Sequence, residues 1–290
     1  DLAGATALLP ADLASAIQSL EAAHFIRRGG TTLAIVHEQY AKWVETGIDD
    51  GAKRRVHGLL ARILKESAAA NPSARYEVAL HYEGARDLGE ARKQSLAAAR
   101  HAGSMGAVRE QASAYELALR VTPHYDADVA VELGSCLLEL RDFDRLMELC
   151  SSAGTQTPLR SDVRRDLEYF RIAIDYHAGR DRLLAIRNRL VDLLRDSAPF
   201  TNRAGATVML MRVADRTGDH VLARRVARNL RKQDLRSSER RLSRHALQAT
   251  GFLRAKYYWP ESALAPLRQA LQDGQRANDW DVEHLCRAGL

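Results

Sequence analysis

Residues 211–223 read Met-Arg-Val-Ala-Asp-Arg-Thr-Gly-Asp-His-Val-Leu-Ala. An apolar helical segment runs into a Gly-Asp turn and a second helical segment follows at once, so this stretch predicts two helices joined by a tight turn. Short turn signals of the same kind recur at Asp142, Asp181, Asp219 and Trp259, at intervals of 39, 38 and 40 residues. Such a steady interval predicts a repeated pair of helices.

Small side chains recur at fixed distances from these turns. Eight residues before each turn, counting an earlier unit built on Asp87, the residues are Ala79, Gly134, Ala173, Met211 and Gly251. Four residues after each turn they are Ala91, Leu146, Ala185, Ala223 and Ala263, and eleven residues after it Ala98, Ala153 and Ala270. Because the side chains at a contact set the distance between two helices, we expect the helices of each pair to pack closely through this seam.

This pattern resembles the tetratricopeptide repeat, most clearly at Gly218-Asp219 with Ala223 and at Ala79, Tyr82, Asp87, Ala91 and Ala98. It departs from that family at Met211 and Trp259, and in its period of 38 to 40 residues where the family has 34. The longer period implies longer helices, as in the sensor superhelix of the maltose-regulator class. The resemblance implies an all-α superhelix of antiparallel helix pairs, a tetratricopeptide-like solenoid, over residues 71–290.

Composition also favours helix. Hydrophobic residues make up 46% and charged residues 28%, which suits a soluble folded protein, and only 7 prolines and 18 glycines interrupt the chain. Helices are predicted near residues 75–86, 88–103, 106–121, 125–140, 142–153, 160–178, 181–196, 203–217, 219–232, 237–256 and 260–274, with a last one starting near Asp279.

The first 70 residues do not follow the repeat. Residues 10–23 have a capped, amphipathic helical pattern. Residues 25–28 (Phe-Ile-Arg-Arg) and the apolar run 33–36 flank a pair of glycines and predict a β-hairpin with a tight turn. Further helices are predicted over residues 38–45 and 50–67.

Three stretches of this region carry a second resemblance. They are residues 20–28 (Leu-Glu-Ala-Ala-His-Phe-Ile-Arg-Arg), the strand that leads into residues 36–38 (Val-His-Glu), and residues 54–61 (Arg-Arg-Val-His-Gly-Leu-Leu-Ala). Together they look like the end of the winged-helix module in STAND-class signalling ATPases and their LuxR-type regulator relatives. The resemblance implies a small winged-helix-like segment over residues 1–70, which would join an upstream nucleotide-binding domain to a helical-repeat sensor.

The sequence carries none of the usual catalytic or nucleotide-binding motifs. It has no GxxxxGK[ST], GxGxxG, HExxH, GxSxG or EF-hand loop, and no Cys or His spacing typical of zinc. We therefore predict that the chain is not an enzyme and holds no cofactor or metal. Because it begins at Asp1 rather than Met, we interpret it as a piece of a larger protein, in which any ATPase site would lie upstream.

The cysteines and the hydropathy of the sequence indicate in which cellular compartment the protein is expected. Cys136, Cys150 and Cys286 are scattered, which suits reduced core thiols. No stretch approaches 18 consecutive apolar residues, and the first residues do not resemble a signal peptide. We expect a cytoplasmic protein without a membrane partner. His37 and His57 are interpreted as packing or hydrogen-bonding residues within the winged-helix-like pattern.

Positive charge is concentrated between residues 203 and 256. This region has 14 Lys and Arg against 4 Asp and Glu, whereas the whole chain has a net charge of +6. Its candidate basic surface consists of Arg224, Arg225, Arg228, Arg231, Lys232, Arg240, Arg241 and Arg244. Contact with nucleic-acid phosphates is one hypothesis. A solvated or protein-binding surface is favoured, because no aromatic residue for base stacking lies between Arg216 and Gly251.

A binding groove is the other candidate site. The tetratricopeptide resemblance implies that the first helix of each pair lines the concave side of the superhelix. Groove candidates on these helices are Tyr76, Phe170, Ile174, His177, Arg212, His245, Gln248 and Phe252. Aromatic, His, Arg and amide side chains could bind a peptide or a small polar ligand. The alternative is that several of them only pack between repeats.

These patterns favour one functional hypothesis over two others. The first is a ligand- or protein-binding repeat scaffold, the sensor part of a larger signalling ATPase or transcriptional regulator. The second is a plain scaffold for protein–protein interaction or for self-association. Nucleic-acid binding through the basic surface is the third and least favoured.

Overall fold

The computed structural model describes residues 10–29, 32–36, 46–154, 159–179, 182–195, 199–234, 251, 260–276 and 286. It is mostly helical, so the prediction of an all-α protein is confirmed at that level. Contacts divide the chain into two compact units. The first comprises residues 1–101 and 113–124, and the second residues 102–112 and 125–290. The first unit thus combines residues from both sides of the border predicted at residue 70.

The N-terminal part of the described chain contains helices and one hairpin. In order, these elements are α1 (Pro10–Ala22), β1 (Ile26–Gly29), β2 (Thr32–Ile35), α2 (Asp50–Ala70), a 3-10 turn (Pro72–Ala74), α3 (Arg75–Gly84), α4 (Leu88–Met105) and α5 (Val108–Arg120). The strands pair antiparallel, with Ile26 opposite Ile35 and Gly29 opposite Thr32. The predicted hairpin is therefore confirmed. The helix predicted at 38–45 lies outside the described residues.

The remaining elements are helices. They are α6 (Ala127–Leu140), α7 (Phe143–Gly154), α8 (Ser161–Ala178), α9 (Leu183–Arg195), α10 (Arg203–Arg216), α11 (His220–Asp234) and α12 (Pro260–Arg276). Each predicted helix between residues 125 and 232 has a counterpart whose ends differ by no more than two residues. Of the helix predicted at 237–256 only Gly251 is described, and it is helical. The helix predicted from Asp279 lies outside the described residues.

The turns at Asp87, Asp142 and Asp219 share one geometry. At each of these three turns the residue before the aspartate is left-handed: Arg86 (φ 64°), Arg141 (φ 57°) and Gly218 (φ 79°). The aspartate N–H then donates to a carbonyl five residues back, from Asp87 to Tyr82, from Asp142 to Leu137 and from Asp219 to Ala214, each at 2.9 Å. This bond closes the end of the first helix in the manner of a Schellman cap.

The same aspartates start the second helix of each pair. Their Oδ1 atoms accept from the backbone N–H three residues ahead: Glu90 to Asp87 (3.2 Å), Arg145 to Asp142 (3.3 Å) and Leu222 to Asp219 (3.0 Å). An aspartate in this position satisfies one of the free N–H groups at a helix start and places negative charge near the positive end of the helix dipole. One left-handed residue and one aspartate therefore join the two helices.

The small-residue seam is largely buried. Ala79, Ala91, Ala173 and Ala223 are each 0% exposed. A Cβ built on Gly251 would lie 2.5 Å from Cγ of Leu267, so the backbone at Gly251 lies close to α12. At Gly134 the close neighbour is instead Phe170 on α8, the first helix of the following pair.

Ala185 was predicted to belong to this seam, and that prediction is wrong, since its side chain is exposed. The helices after Asp87, Asp142 and Asp219 begin one residue after the aspartate, whereas α9 begins at Leu183, two residues after position 181. The N–H groups of Ala185 and Ile186 both donate to the Arg182 carbonyl at its start. The buried stripe of α9 consequently runs through Ile186 (1% exposed) and Leu190 (0%).

A buried carboxylate joins two elements of the second unit. Asp166 on α8 is 1% exposed and accepts hydrogen bonds from the Thr201 N–H (3.1 Å), the Asn202 N–H (2.7 Å) and the Asn202 side-chain amide (2.9 Å). It therefore caps the start of α10 from a neighbouring helix. Burial raises the pKa of Asp166 above its ordinary value, and the hydrogen bonds from Asn202 and Thr201 oppose that rise.

Two further predictions concern cysteines and hydropathy. Cys136, Cys150 and Cys286 are buried free thiols. Burial raises the pKa of the Cys150 thiol to about 11. None of the helices in the described part of the chain is long and apolar enough to cross a membrane.

Candidate functional site

The structure separates the groove candidates into buried and exposed residues. Phe170 (0% exposed) and Ile174 (5%) are buried, as the packing alternative expects, and do not face solvent. The reason is local: Gly134 leaves room for the Phe170 ring, which fills the space where a Cβ would stand. Tyr76 is half-buried and packs against the core of the first unit. His245, Gln248 and Phe252 lie outside the described residues.

His177 is exposed and belongs to an aromatic cluster in the second unit. Its ring stacks on Phe143, with centroids 5.1 Å apart and planes inclined by 23°. Tyr176 meets the same imidazole edge-on, at a centroid distance of 5.1 Å and an angle of 78°. These are the offset-stacked and T-shaped arrangements that aromatic rings prefer. The rings therefore hold one another in defined orientations at the surface.

Arg216 completes the cluster. Its guanidinium carbon lies 5.7 Å from the centroid of the Tyr176 ring, and its Nη1 donates to the Tyr176 hydroxyl at 3.0 Å. A cation–π contact and a hydrogen bond to one tyrosine fix the position of an otherwise flexible side chain. Arg212, also exposed, lies one helical turn earlier on α10. We call Phe143, Tyr176, His177 and Arg216 the turn-edge aromatic surface.

Every member of this surface lies beside a helix-pair turn. Phe143 begins α7, Tyr176 and His177 lie in the last turn of α8, and Arg216 ends α10. The ring contacts show that these three helix ends are neighbours. The sequence prediction found only His177 of this set. The sequence does contain a signal for the other three residues, because aromatic and Arg residues flank successive turns.

Two carboxylates close to this surface in sequence are paired with arginines. Asp175, next to Tyr176 in sequence, is bonded to Arg189 at 2.7 Å. Asp219, in the turn after Arg216, is bonded to Arg187 at 3.2 Å. These two carboxylates are thus engaged with arginines of α9. The surface combines two half-buried aromatic rings with an exposed imidazole and an exposed guanidinium, which suits a ligand with both apolar and acidic groups.

The candidate basic surface is described only in part. Arg224 and Arg225 are exposed on α11, whose opposite face buries Ala223 (0% exposed) and Val226 (7%). The helix continues through Arg228, Arg231 and Lys232, whose side chains lie outside the described set, as do Arg240, Arg241 and Arg244 altogether. In the described part, the positive charge follows the outer face of an amphipathic helix.

For this basic surface we expect only weak, non-specific binding to a short DNA duplex, with a Kd above roughly 1 μM at physiological salt. The double change Arg224→Glu and Arg225→Glu should alter that affinity no more than Arg164→Glu with Arg195→Glu, two exposed arginines on other helices. Gel shifts over a salt series measure the affinity of the unaltered chain and of both double variants. A shift abolished by the α11 changes alone would instead support a nucleic-acid site.

Within the part of the chain that the structure describes, no group of three or more His, Cys, Asp or Glu side chains is placed to hold a metal ion. Comparison of the whole chain with protein-family models and with curated proteins found no match. The class of protein therefore follows from the architecture: a mainly helical protein, in which capped, tight turns at Asp87, Asp142 and Asp219 each join two consecutive helices.

Proposed function

We propose that this chain is a non-catalytic binding module, a tetratricopeptide-like superhelix with a winged-helix-like segment at its N-terminus, and that it binds a peptide or protein partner. The observation that carries the proposal is the turn-edge aromatic surface. An exposed imidazole that stacks on Phe143 and meets Tyr176 edge-on, beside a guanidinium fixed on that tyrosine, is a preorganised contact surface. Aromatic and Arg side chains dominate the binding energy of protein interfaces.

The chemistry of the surface defines its ligand. Flat aromatic faces favour an apolar or aromatic side chain, and Arg216 with Arg212 favours a carboxylate nearby. We therefore propose a short peptide segment with one bulky apolar residue next to an acidic residue. Little rotamer entropy would be lost on binding, since the four side chains are already held by one another.

Regulation is the second part of the proposal. The resemblance to regulator proteins and the absence of catalytic motifs from the sequence support a role as the sensor of a larger signalling ATPase or transcriptional regulator. In such a protein the ligand would act by binding one arrangement of the helix pairs more tightly than another. A plain docking scaffold, or self-association through the same surface, is the alternative, and ligand-free sedimentation velocity over a concentration series tests self-association.

The binding proposal is tested with a displayed random-peptide library selected on the whole chain. Selected peptides should be enriched in a bulky apolar residue next to an acidic one. Their Kd, measured by titration calorimetry, should rise at least about tenfold with His177→Ala and with Arg216→Ala, a loss of about 1.4 kcal/mol each.

Matched controls are available in the same chain. His124→Ala and Arg195→Ala remove an exposed imidazole and an exposed guanidinium elsewhere. These variants should bind the selected peptides like the unaltered chain. If no peptide is enriched, or if the control changes weaken binding as much as the surface changes, the turn-edge aromatic surface is not the binding site.

A further inference from the structure

Two histidines face each other between α2 and α3. Nδ1 of His57 lies 2.9 Å from Nδ1 of His81, and the two ring centroids are 5.2 Å apart at an angle of 44°. Both side chains are half-buried. A Cβ on Gly84 would lie 2.6 Å from the His57 ring, so this imidazole rests directly on the backbone of α3. The pair therefore sits in the packing interface of two helices.

A hydrogen bond between two ring nitrogens depends on their protonation. One Nδ1 must carry a proton and the other must offer a lone pair, so the contact persists when the pair is neutral or carries one positive charge. When both imidazoles are charged, each Nδ1 carries a proton and no acceptor remains. Two like charges then face each other at hydrogen-bond distance, which is repulsive.

Burial and neighbouring charged groups also affect the protonation of this histidine pair. Burial and the neighbouring His57 lower the pKa of His81, and the carboxylate of Glu77, one turn earlier on α3, opposes them. On α2, the cationic residues Lys53 and Arg54 lie one turn before His57 in sequence. Because burial and His57 outweigh Glu77 at His81, the protonated form of His81 is disfavoured.

Ion pairs also join α2 and α3 to other helices. Lys65 on α2 bonds Glu90 on α4 at 2.7 Å, and hydrogen bonds from Lys65 and Lys93 lower the pKa of Glu90 to about 2. Glu83 on α3 bonds Arg120 on α5 at 2.7 Å. Neither ion pair contains an imidazole, the side chain whose unperturbed pKa lies between pH 5 and 8.

We propose that the His57–His81 pair is a pH-sensitive latch, which holds α3 against α2 near neutral pH and releases it when both imidazoles become protonated. The direction of this pH dependence follows from the linkage between proton binding and stability. The folded pair binds fewer protons than two free imidazoles, so its stabilisation is complete above the ordinary pKa of about 6.5 and is lost as the pH falls below it. This inference does not depend on the proposed binding function.

Amide hydrogen exchange of the whole chain at pH 7.5 and 5.5, corrected for the intrinsic pH dependence of exchange, tests the latch. Protection of the α3 amides should fall about tenfold at pH 5.5, while protection in α8 stays within about twofold, since one pKa unit corresponds to a tenfold change in equilibrium. The change His81→Gln should abolish this pH dependence. His124→Gln, an exposed histidine of the same unit, should keep it.

Imidazole titration followed by NMR on the unaltered chain gives a second measurement that does not require a variant to fold. The expected result is one imidazole of the pair with a pKa below that of exposed histidines. Ordinary, independent titration of both rings, or equal pH dependence of exchange in α3 and α8, would overturn the latch.

Discussion

Replacing Gly134 with leucine is expected to destabilise the second unit by roughly 3 kcal/mol or more, near the upper end of overpacking effects in cores. Even a Cβ at this position would lie 2.4 Å from Cε2 and 2.7 Å from Cζ of Phe170. Phe170 is 0% exposed and cannot move aside into solvent. Urea unfolding followed by circular dichroism measures the loss.

A double-mutant cycle isolates the cause of that loss. In the Gly134→Leu chain, Phe170→Ala should restore part of the lost stability, because it removes the ring that the new side chain strikes. Gly89→Leu is the matched control. A Cβ on Gly89 would have Asp87 Oδ1, at 3.9 Å, as its nearest neighbour, so little destabilisation is expected. Unfolding of Gly134→Leu at the urea concentration of the unaltered chain would contradict the close helix contact.

Replacing Asp166 with alanine is expected to cost about 3 kcal/mol. The change leaves the N–H groups of Thr201 and Asn202 and the Asn202 side-chain amide without their acceptor at the start of α10. Buried donors without a partner cost about 1–3 kcal/mol each, and partial access of water to Thr201 and Asn202 reduces the sum. The free energy of unfolding in urea measures the effect.

Two variants test whether the hydrogen bonds are responsible. Asp166→Asn retains one oxygen acceptor and should lose about half as much stability as Asp166→Ala. Asp192→Ala removes an exposed carboxylate that pairs with Arg195 on the surface, and should cost well under 1 kcal/mol. Equal losses from Asp166→Ala and Asp192→Ala would show that the buried carboxylate does not hold α10.

The groove predicted from the sequence and the turn-edge aromatic surface share only His177. Placement on the first helix of a pair identified His177, but it also selected Phe170 and Ile174, which are buried. Helical position alone does not distinguish an outward face from one covered by a neighbouring helix. Tyr176 and Arg216 escaped prediction because their significance lies in a contact across 40 residues of sequence.

The sequence by itself determined the helices, the hairpin and the positions of the turns. These features depend on interactions between residues close in sequence, such as the hydrogen bond from the Leu222 N–H to the Asp219 side chain. Local sequence patterns therefore predict them. The left-handed conformations of Arg86 and Arg141 could not be inferred, since arginine has no local preference for positive φ.

Only the tertiary structure decided which faces are covered and which side chains meet. The exposure of Ala185, the fit of Phe170 against Gly134 and the contact of His57 with His81 each depend on how far one helix is shifted along or rotated against another. A shift of one residue turns a helix by about 100° and exchanges a buried position for an exposed one. Local sequence patterns do not fix that register, because it results from the packing of all neighbouring side chains together.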